Sequence, residues 1–444
     1  MVVSAARAAA LAAISCIAIG VAAPGWADAP ASTADQSRLL KVILKHPGNY
    51  DATFAYVRAS EKLGDYEAAI GALERLLFYN AKLTRVKYEL GTLYYRVGSF
   101  QMAATYFRQA LASPDLDAET RARIETYLPG TEKQLSPLRS WLFVQTGVRY
   151  QSNASFTPFS DTIEVGGSPN PIDLSGPHGA DWNAFALAQF ANDADFGDQG
   201  SSTLETRLTG YATDQFRLES LNVGYIAGSV GPRFALAPSE WPGLTVKPYV
   251  TGSAAWVGGA PYDATGGGGV SLSAPFGKAL TVSPFVEWQK ATYPNADPTA
   301  TLGTADWLTT GASAGLRLSD TVSLNVAFSY RRSDGVNAWQ SNDQFSEEFD
   351  MPIRLDPPLA SIGQKWTVTP FAVLTQTAFD APNAAIDPAT TRDDSKWQLG
   401  VALDAPLTTH LGLAAAVSYE RSNSHIANYS YDNWSVVIGP TARF

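Results

Sequence analysis

The ten residues LGLAAAVSYE, from Leu411 to Glu420, alternate between one apolar series and one of small or polar side chains. A period of two places successive side chains on opposite faces of a β-strand. The same alternation runs from Val322 to Arg331, where Ser, Asn and Arg separate the apolar residues. Segments of about ten residues, apolar outside and small or polar inside, are typical of transmembrane strands in closed barrels.

We predict about fourteen such segments between residues 138 and 444. They start near residues 140, 183, 203, 221, 245, 266, 280, 307, 321, 343, 366, 396, 410 and 432. The connections 275–278, 319–320 and 405–408 are tight, whereas 153–181, 293–305, 333–343 and 379–394 are long and polar. Short periplasmic turns and long outer loops are the outer-membrane arrangement, and an even count returns the C-terminus to the periplasm. A soluble sandwich also alternates, but the number of segments and the end of the chain favour a barrel.

The last predicted strand ends the chain on an aromatic residue. Its outward face carries the proposed assembly signal, which consists of Trp434, Val436, Ile438 and Phe444. The polar residues Asn433, Ser435, Thr441 and Arg443 occupy the other face. A terminal Phe on an alternating strand resembles the signal read by the barrel-assembly machinery. We therefore expect that machinery, and outer-membrane lipid, as partners.

Two further features fall within the predicted barrel. Pro248, Pro284 and Pro370 share a V-x-P-aromatic-aliphatic motif near the starts of strands that should run outward, where proline is tolerated. The glycine run 266–269 is interpreted as a transition from loop to strand.

Composition excludes several classes of function. The net charge of −10 argues against nucleic acid, because a phosphate backbone needs a basic partner. Residues 1–27 have the features of a secretory signal, with Arg7 before an apolar run and a small-x-small site at residues 25–27. A short membrane anchor and a lipoprotein signal at Cys16 are the less favoured readings. Because Cys16 is the sole cysteine, the mature chain has no thiol chemistry.

Residues 28–137 show a 34-residue period, which is the period of the TPR repeat. Residues 63–66 and 97–100 match at this offset, as do Ala69 with Ala103 and Leu73 with Phe107. The stretch 35–46 then predicts the second helix of a truncated first repeat, and 117–128 predicts a closing helix. A generic helical hairpin is the alternative.

First helices of TPR units line a concave face. In this register the predicted partner-binding residues are Arg58, Lys62, Arg85, Tyr88, Tyr95 and Arg96. A basic and aromatic groove on an acidic protein suits an acidic or extended peptide. The alternative is an ordinary solvated surface.

No catalytic or metal-binding constellation is predicted. The four histidines, His46, His178, His410 and His425, lack metal-ligand spacing, and no Ser/His/Asp set converges on one strand face. We expect no cofactor and no enzymatic activity.

The resulting fold class is α + β multidomain, with a short TPR-like helical repeat domain followed by a ~14-stranded antiparallel transmembrane β-barrel. This organisation resembles the surface lipoprotein assembly modifier family. The resemblance is carried by residues 114–115, 121–128, 150–153, 422–423 and 429–432 and covers nearly the whole mature chain. It implies an outer-membrane barrel, with its N-terminal domain in the periplasm, that moves a lipoprotein or related protein client to the cell surface.

Three functions remain open at this level: export of a protein client captured by the helical domain, export of a polysaccharide, and a passive pore. A polysaccharide exporter should line its lumen with aromatics or with charges of one sign. The assigned inward positions are mostly Ser, Thr, Ala and Gly with scattered charges such as Glu287, Arg331 and Glu420, which mildly disfavours sugar conduction.

Overall fold

The computed structural model describes residues 33–172, 178–196, 202–237, 240–294, 303–358 and 362–444. The predicted signal peptide, residues 1–27, and Cys16 within it lie outside the described residues. The chain divides into two compact units between Arg139 and Ser140.

Six α-helices make up the described part of the first unit. They are α1 (Thr33–Lys45), α2 (Tyr50–Leu63), α3 (Tyr66–Tyr79), α4 (Thr84–Arg96), α5 (Phe100–Leu111) and α6 (Ala118–Leu135). The starts of α2 and α4 are offset by 34 residues, and so are those of α3 and α5, which confirms the predicted helical repeat. Gly64 and Gly98 end the first helix of each unit with φ of +74° and +77°, a left-handed conformation that glycine adopts without strain. No helix among the described residues is long and apolar enough to cross a membrane.

Close packing of α4 on α5 explains the glycine of the second repeat. A Cβ added to Gly91 would lie 2.5 Å from Cδ1 of Phe107, a ring that is itself fully buried. Leu73 and Leu90 are also fully buried, so both repeats contribute to the apolar interior. Glycine here is therefore required by the space between the helices.

The closing helix α6 is longer than predicted, since it continues past residue 128 and through Pro129 to Leu135. Ile124 packs against Phe107 in a buried cluster. Two turns further on, Thr131 is fully buried, and its hydroxyl donates to the Tyr127 carbonyl oxygen at 2.8 Å. This burial explains the extension beyond the amphipathic segment.

Residues 138–444 form β-strands in every described range. The strands are β1 (Leu138–Gln151), β2 (Thr162–Val165), β3 (Ser168–Pro171), β4 (Asp181–Asp195), β5 (Ser202–Gln215), β6 (Val223–Ala235), β7 (Thr245–Val257), β8 (Ala260–Phe276), β9 (Leu280–Thr292), β10 (Ala305–Arg317), β11 (Ser323–Gly335), β12 (Asn342–Asp350), β13 (Ile353–Leu355), β14 (Trp366–Phe379), β15 (Asp393–Pro406), β16 (Leu411–Ser424) and β17 (Tyr431–Arg443).

Fourteen of the described strands close into one antiparallel barrel, as predicted. Each pairs with its neighbours in sequence, β12 pairs with β14, and β1 pairs with β17 to complete the ring. The short β13 also pairs with β14. Strands β2 and β3 form a separate hairpin in the first long connection. A closed ring leaves no unpaired strand edge, which is the condition for a sheet to lie in lipid.

The outer and inner faces of the barrel differ in polarity as the alternation predicts. On β17, Trp434, Ile438 and Phe444 are 52%, 54% and 65% exposed. Asn433 and Thr441, one position out of phase, are buried on the inside. The barrel thus presents apolar side chains outward and polar ones inward, the pattern of membrane-spanning strands.

The connections separate into two rims. The predicted tight turns, now bounded as 277–279, 318–322 and 407–410, lie at one rim together with two longer connections, 236–244 and 351–365. The first barrel strand begins and the last one ends at this rim. There the backbones of Leu142 and Phe444 exchange hydrogen bonds of 2.9 and 3.0 Å. The described parts of the connections 152–180 and 293–304, together with 336–341 and 380–392, lie at the opposite rim, as expected.

One prediction within the barrel was wrong. The glycine run 266–269 lies inside β8, which begins six residues earlier, at Ala260. A Cβ on Gly267 would lie 2.0 Å from the Trp288 carbonyl oxygen, and a Cβ on Gly269 would lie 2.8 Å from the Tyr249 ring. These glycines therefore make room for close strands and for an inward tyrosine instead of marking a loop.

Pro440 lies at the seam where the barrel closes. The register between β1 and β17 pairs Gln145 with Thr441 and then resumes at Val148 with Ile438. Between these pairs, a Cβ on Gly439 would lie 1.8 Å from the Thr146 carbonyl oxygen. Proline has no N–H to donate, so the interruption in the pairing coincides with the proline and with a close glycine contact.

Candidate binding sites in the helical domain and the barrel

The predicted groove residues lie on the first helices of the two repeats. We call them the α2–α4 face, which consists of Arg58, Lys62, Arg85, Tyr88, Tyr95 and Arg96. The two helices approach each other along this face, since the Arg85 guanidinium lies 5.0 Å from the Phe54 ring centroid. The Arg96 guanidinium lies 3.3 Å from the Glu61 carboxylate. The structure thus places the predicted residues of α2 and those of α4 on one side of the helical domain.

The two tyrosines of this face are partly buried within the domain. Tyr95 packs edge-on against Tyr127 and Phe100, with ring centroids 5.8 and 5.5 Å apart. Tyr88 lies 6.4 Å from Phe107 and is hydrogen-bonded to Arg123 of α6. Both rings therefore help to hold the closing helix, and only their remaining surface is available to a ligand.

The charges on the face are mixed. Glu89, which sequence reasoning did not select, lies 3.9 Å from Arg85 and one helical turn along α4. Burial raises the pKa of the Glu89 carboxyl, and the neighbouring Glu61 raises it further, while three arginines oppose the shift. Arg58 and Lys62 are exposed, and neither makes an ion pair with any residue in the described ranges. These two cations are the ones most available to an acidic partner.

Glu61, Glu89, Arg123 and Tyr127 complete the face and were missed. The 34-residue register identifies which helix faces a ligand, but it does not say which carboxylate of α2 reaches a cation of α4. Glu61 and Arg96 lie 35 positions apart, so their contact follows only from the packing of the helices.

The barrel encloses a cavity of about 600 Å³ at the rim of the long connections. We call it the aromatic cavity, because seven rings line it: Tyr262, Tyr293, Trp307, Trp339, Phe379, Tyr429 and Tyr431. Amide and hydroxyl side chains share the lining, among them Asn342, Gln344, Ser346, Thr375 and Asn383. The Arg392 guanidinium stacks 3.4 Å from the Tyr429 centroid and pairs with Asp394 at 2.6 Å, which fixes part of the wall.

The β2–β3 hairpin of the first long connection is hydrogen-bonded to loops that line this cavity. Gly166 and Gly167, in the turn between β2 and β3, donate to the carbonyl oxygens of Ala385 and Ile386 at 3.0 and 2.8 Å. Beside them, Glu164 and Asn428 exchange two hydrogen bonds of 2.7 and 3.0 Å. The hairpin therefore ties together two of the loops that form the cavity wall.

A second cavity of about 450 Å³ lies elsewhere in the lumen and shares Gln398 with the first. We call it the Arg149 cavity. An apolar wall of Phe143, Phe185, Leu187 and Tyr211 faces into it. Its polar lining includes Arg149, Arg354 and Arg443 together with Asp404 and Glu420.

Charges of both signs also meet on the inner faces of β5, β6 and β7. Glu205 lies 2.7 Å from Arg233 in an ion pair and accepts from Lys247 at 3.1 Å. Asp193 pairs with Arg207 at 2.6 Å. The lumen thus carries ion pairs of both signs here, in line with the scattered inward charges expected from the sequence.

The aromatic cavity was not expected, because the sequence analysis assigned mainly small and polar side chains to the lumen. Its rings come from strand ends and connections, where alternation no longer indicates which side chains face inward. Tyr262 lies in a stretch predicted to precede β8, and Trp339 lies in a long connection.

Several solved structures resemble parts of this chain. PcrH, in complex with the chaperone binding region of PopD, is 16% identical with a TM-score of 0.21, over 23% of this chain and 78% of its own. A bacterial polysaccharide outer membrane secretin is 11% identical with a TM-score of 0.33, over 69% of this chain and 98% of its own. The outer membrane channel DcaP of Acinetobacter baumannii is 10% identical with a TM-score of 0.38, over 69% of this chain and 97% of its own.

No protein-family model matches the chain, and no curated protein does. Similarities at these levels assign no function, so the functional argument depends on the chain's own residues.

Proposed function

We propose that this chain is an export barrel of the bacterial outer membrane, with its helical domain in the periplasm. The observation that carries the proposal is the closed barrel, apolar outside, whose two ends meet at the rim of the tight turns. Outer-membrane barrels have their short turns on the periplasmic side. The chain enters the barrel at that rim through β1, which supports a periplasmic position for the domain before β1.

The client we propose is an acidic segment of a periplasmic protein or lipoprotein, bound by the α2–α4 face. The support is the pair of exposed cations on α2, Arg58 and Lys62, together with the half-buried tyrosines Tyr88 and Tyr95 on α4. Charge steering accelerates the capture of an oppositely charged segment, and partly exposed aromatics add apolar contact once it is bound. No enzymatic step forms part of this function.

The test is a charge reversal on this face in cells. The Arg58→Glu/Lys62→Glu variant should abolish surface labelling of the client, while the heat-modifiable barrel assembles normally. A matched control reverses two exposed cations away from the face, Arg75→Glu/Arg121→Glu, and should display the client as the wild type does. Cells of a deletion strain, complemented with each variant, are surface-biotinylated and their labelled proteins compared. Normal display by the first variant would refute client capture by the α2–α4 face.

A second candidate, export of a polysaccharide, is favoured by the aromatic cavity. Aromatic rings pack against the apolar faces of sugar rings, and amides and hydroxyls hydrogen-bond their hydroxyl groups. The same deletion strain separates the two candidates, because loss of an extracellular glycan with an unchanged surface proteome supports the second.

Titration of the purified full chain with cellohexaose tests this candidate directly. Trp339→Ala removes a ring of the cavity and should weaken binding several-fold. Phe216→Ala removes an exposed ring that does not line the cavity and should leave binding unchanged. Equal binding by both variants, or no binding by the wild type, would count against sugar passage.

A further inference from the structure

Arg149 is a buried cation without a counterion. It lies on the inner face of β1, is 7% exposed, and lines the Arg149 cavity. Its Nε has no hydrogen-bond partner. Within the described ranges, no carboxylate lies within the 4.0 Å of an ion pair. Burial of an unpaired charge costs free energy. An anionic ligand in the cavity would offset this cost by pairing with Arg149.

The carboxylates of the same cavity are already paired. Asp404 accepts from Arg443 across the lumen face of β15 and β17. Glu420 lies 3.0 Å from the Lys396 ammonium. Arg149 is therefore the cation of this cavity that is left to receive an anion.

In contrast to the charged Arg149, the apolar wall gives the cavity a second binding surface. Phe143, Phe185, Leu187 and Tyr211 are each at least nine-tenths buried, although they lie inside a barrel whose inner face is mostly polar. Open space of about 450 Å³ beside them falls within the size range of small-molecule sites. A ligand that fills it meets this apolar surface and the Arg149 guanidinium.

We infer that the Arg149 cavity binds an amphipathic monocarboxylate, with its carboxylate on Arg149 and its apolar body against the wall. The planar guanidinium matches a carboxylate with two parallel hydrogen bonds. One unpaired cation suits a single negative charge better than a dianion. This site is distinct from the α2–α4 face, adjoins the aromatic cavity at Gln398, and does not rest on the proposed export function.

The experiment uses the purified full-length chain in a nonionic detergent and 4-phenylbutyrate as the probe, measured by isothermal titration calorimetry. The uncharged 4-phenylbutan-1-ol has the same apolar body and should bind at least about tenfold more weakly. Arg149→Gln should weaken phenylbutyrate binding by about tenfold or more, with little effect on the alcohol. Lys278→Gln removes an exposed cation in the turn 277–279, outside both cavities, and serves as the control with wild-type affinity.

Gln151→Glu provides an independent variant if Arg149→Gln does not assemble. Gln151 lies two residues along the same inner face and accepts from Asn183 Nδ2 at 3.4 Å, a bond that glutamate also accepts. The new carboxylate gives Arg149 an internal counterion and should weaken phenylbutyrate binding. Wild-type affinity in either assembled variant, or equal affinity for the acid and the alcohol, overturns the inference.

Discussion

The helical domain and the barrel bury opposite kinds of side chain. In the helical domain, Leu73 and Phe107 are fully buried. In the barrel, Asn433 and Thr441 are among the most buried side chains, while Ile438 is 54% exposed. The same apolar residue types thus form the interior of one unit and the exterior of the other.

This difference shows that exposure of an apolar residue has no fixed meaning within one chain. Phe78 on α3 and Leu399 on β15 are 87% and 54% exposed. In water an isolated exposed apolar residue is tolerated, whereas in lipid it is the preferred state.

Deletion of Phe444 should have the largest effect. Its ring is 65% exposed on the outside of the barrel, and its backbone closes β17 onto β1 at Leu142. We expect most of the heat-modifiable barrel to be lost from the outer-membrane fraction. Leu411→Ala, which shortens an outward side chain at the same rim, is the control and should assemble. Normal assembly of the truncated chain would contradict the assembly-signal prediction.

Overpacking should unfold the helical domain. Residues 28–137 expressed alone should be helical, soluble and monomeric, as expected for a minimal repeat stack. Gly91→Leu forces side-chain atoms into the Phe107 ring and should lower the free energy of unfolding by about 1–3 kcal/mol or more. Gly71→Leu is the matched control, because nothing lies within 4 Å of a Cβ at that position. Circular dichroism melts measure both, and equal melting temperatures would argue against the close contact.

An arginine on the outer surface should destabilise the barrel more than it destabilises the helical domain. Leu399→Arg places a charge on the lipid-facing side of β15 and should cost about 2–4 kcal/mol of barrel stability if the site is near the bilayer midplane. Phe78→Arg changes an exposed residue of the helical domain and should stay within about 0.5 kcal/mol. Urea unfolding of the barrel in lipid vesicles and of the helical fragment in buffer gives the two values. Similar small costs at both sites would mean that β15 does not face lipid.

The smallest effect concerns pH. Because burial raises the pKa of Glu89 in the folded domain, the folded state keeps the proton to higher pH than the unfolded chain. The contribution is therefore fully present below the unfolded pKa, near 4.3, and is lost as pH rises through the folded value. Glu89→Gln should gain stability relative to the wild type as pH rises above the unfolded pKa of about 4.3. Glu67→Gln, at an exposed site on α3, is the control, and a pH-independent difference for Glu89→Gln would contradict the effect of burial.

Sequence patterns predicted the elements of both units because each has a strict period. The fourteen strand starts fall within a few residues of the predicted ones, except at β8, where the glycine run hid six residues of strand. Alternation indicates which face a side chain occupies only where its strand is paired with a neighbour on both sides. Glycines carry no side chain, so they interrupt the pattern without interrupting the strand.

Sites formed by distant residues were less predictable. The register placed Arg85 and Arg96 on one face, but the contact of Arg96 with Glu61 depends on how α2 packs against α4. Tyr429 and Trp339 reach the aromatic cavity from separate connections. Arg149 has the inward position that alternation assigns, but its lack of a counterion follows only from the pairing of Asp404 and Glu420 with other cations.

The seam between β1 and β17 also affects how the barrel forms. Phe143 pairs with Arg443, three hundred positions away, whereas Phe276 pairs with Leu280 across a tight turn. Joining ends so much farther apart costs roughly 4 kcal/mol more chain entropy than closing the hairpin. Contacts between distant residues slow folding, so hairpins such as β8–β9 should form early and the seam last. With Pro440 and the Gly147–Gly439 approach at its centre, the seam is where we expect the rate-limiting closure of the ring.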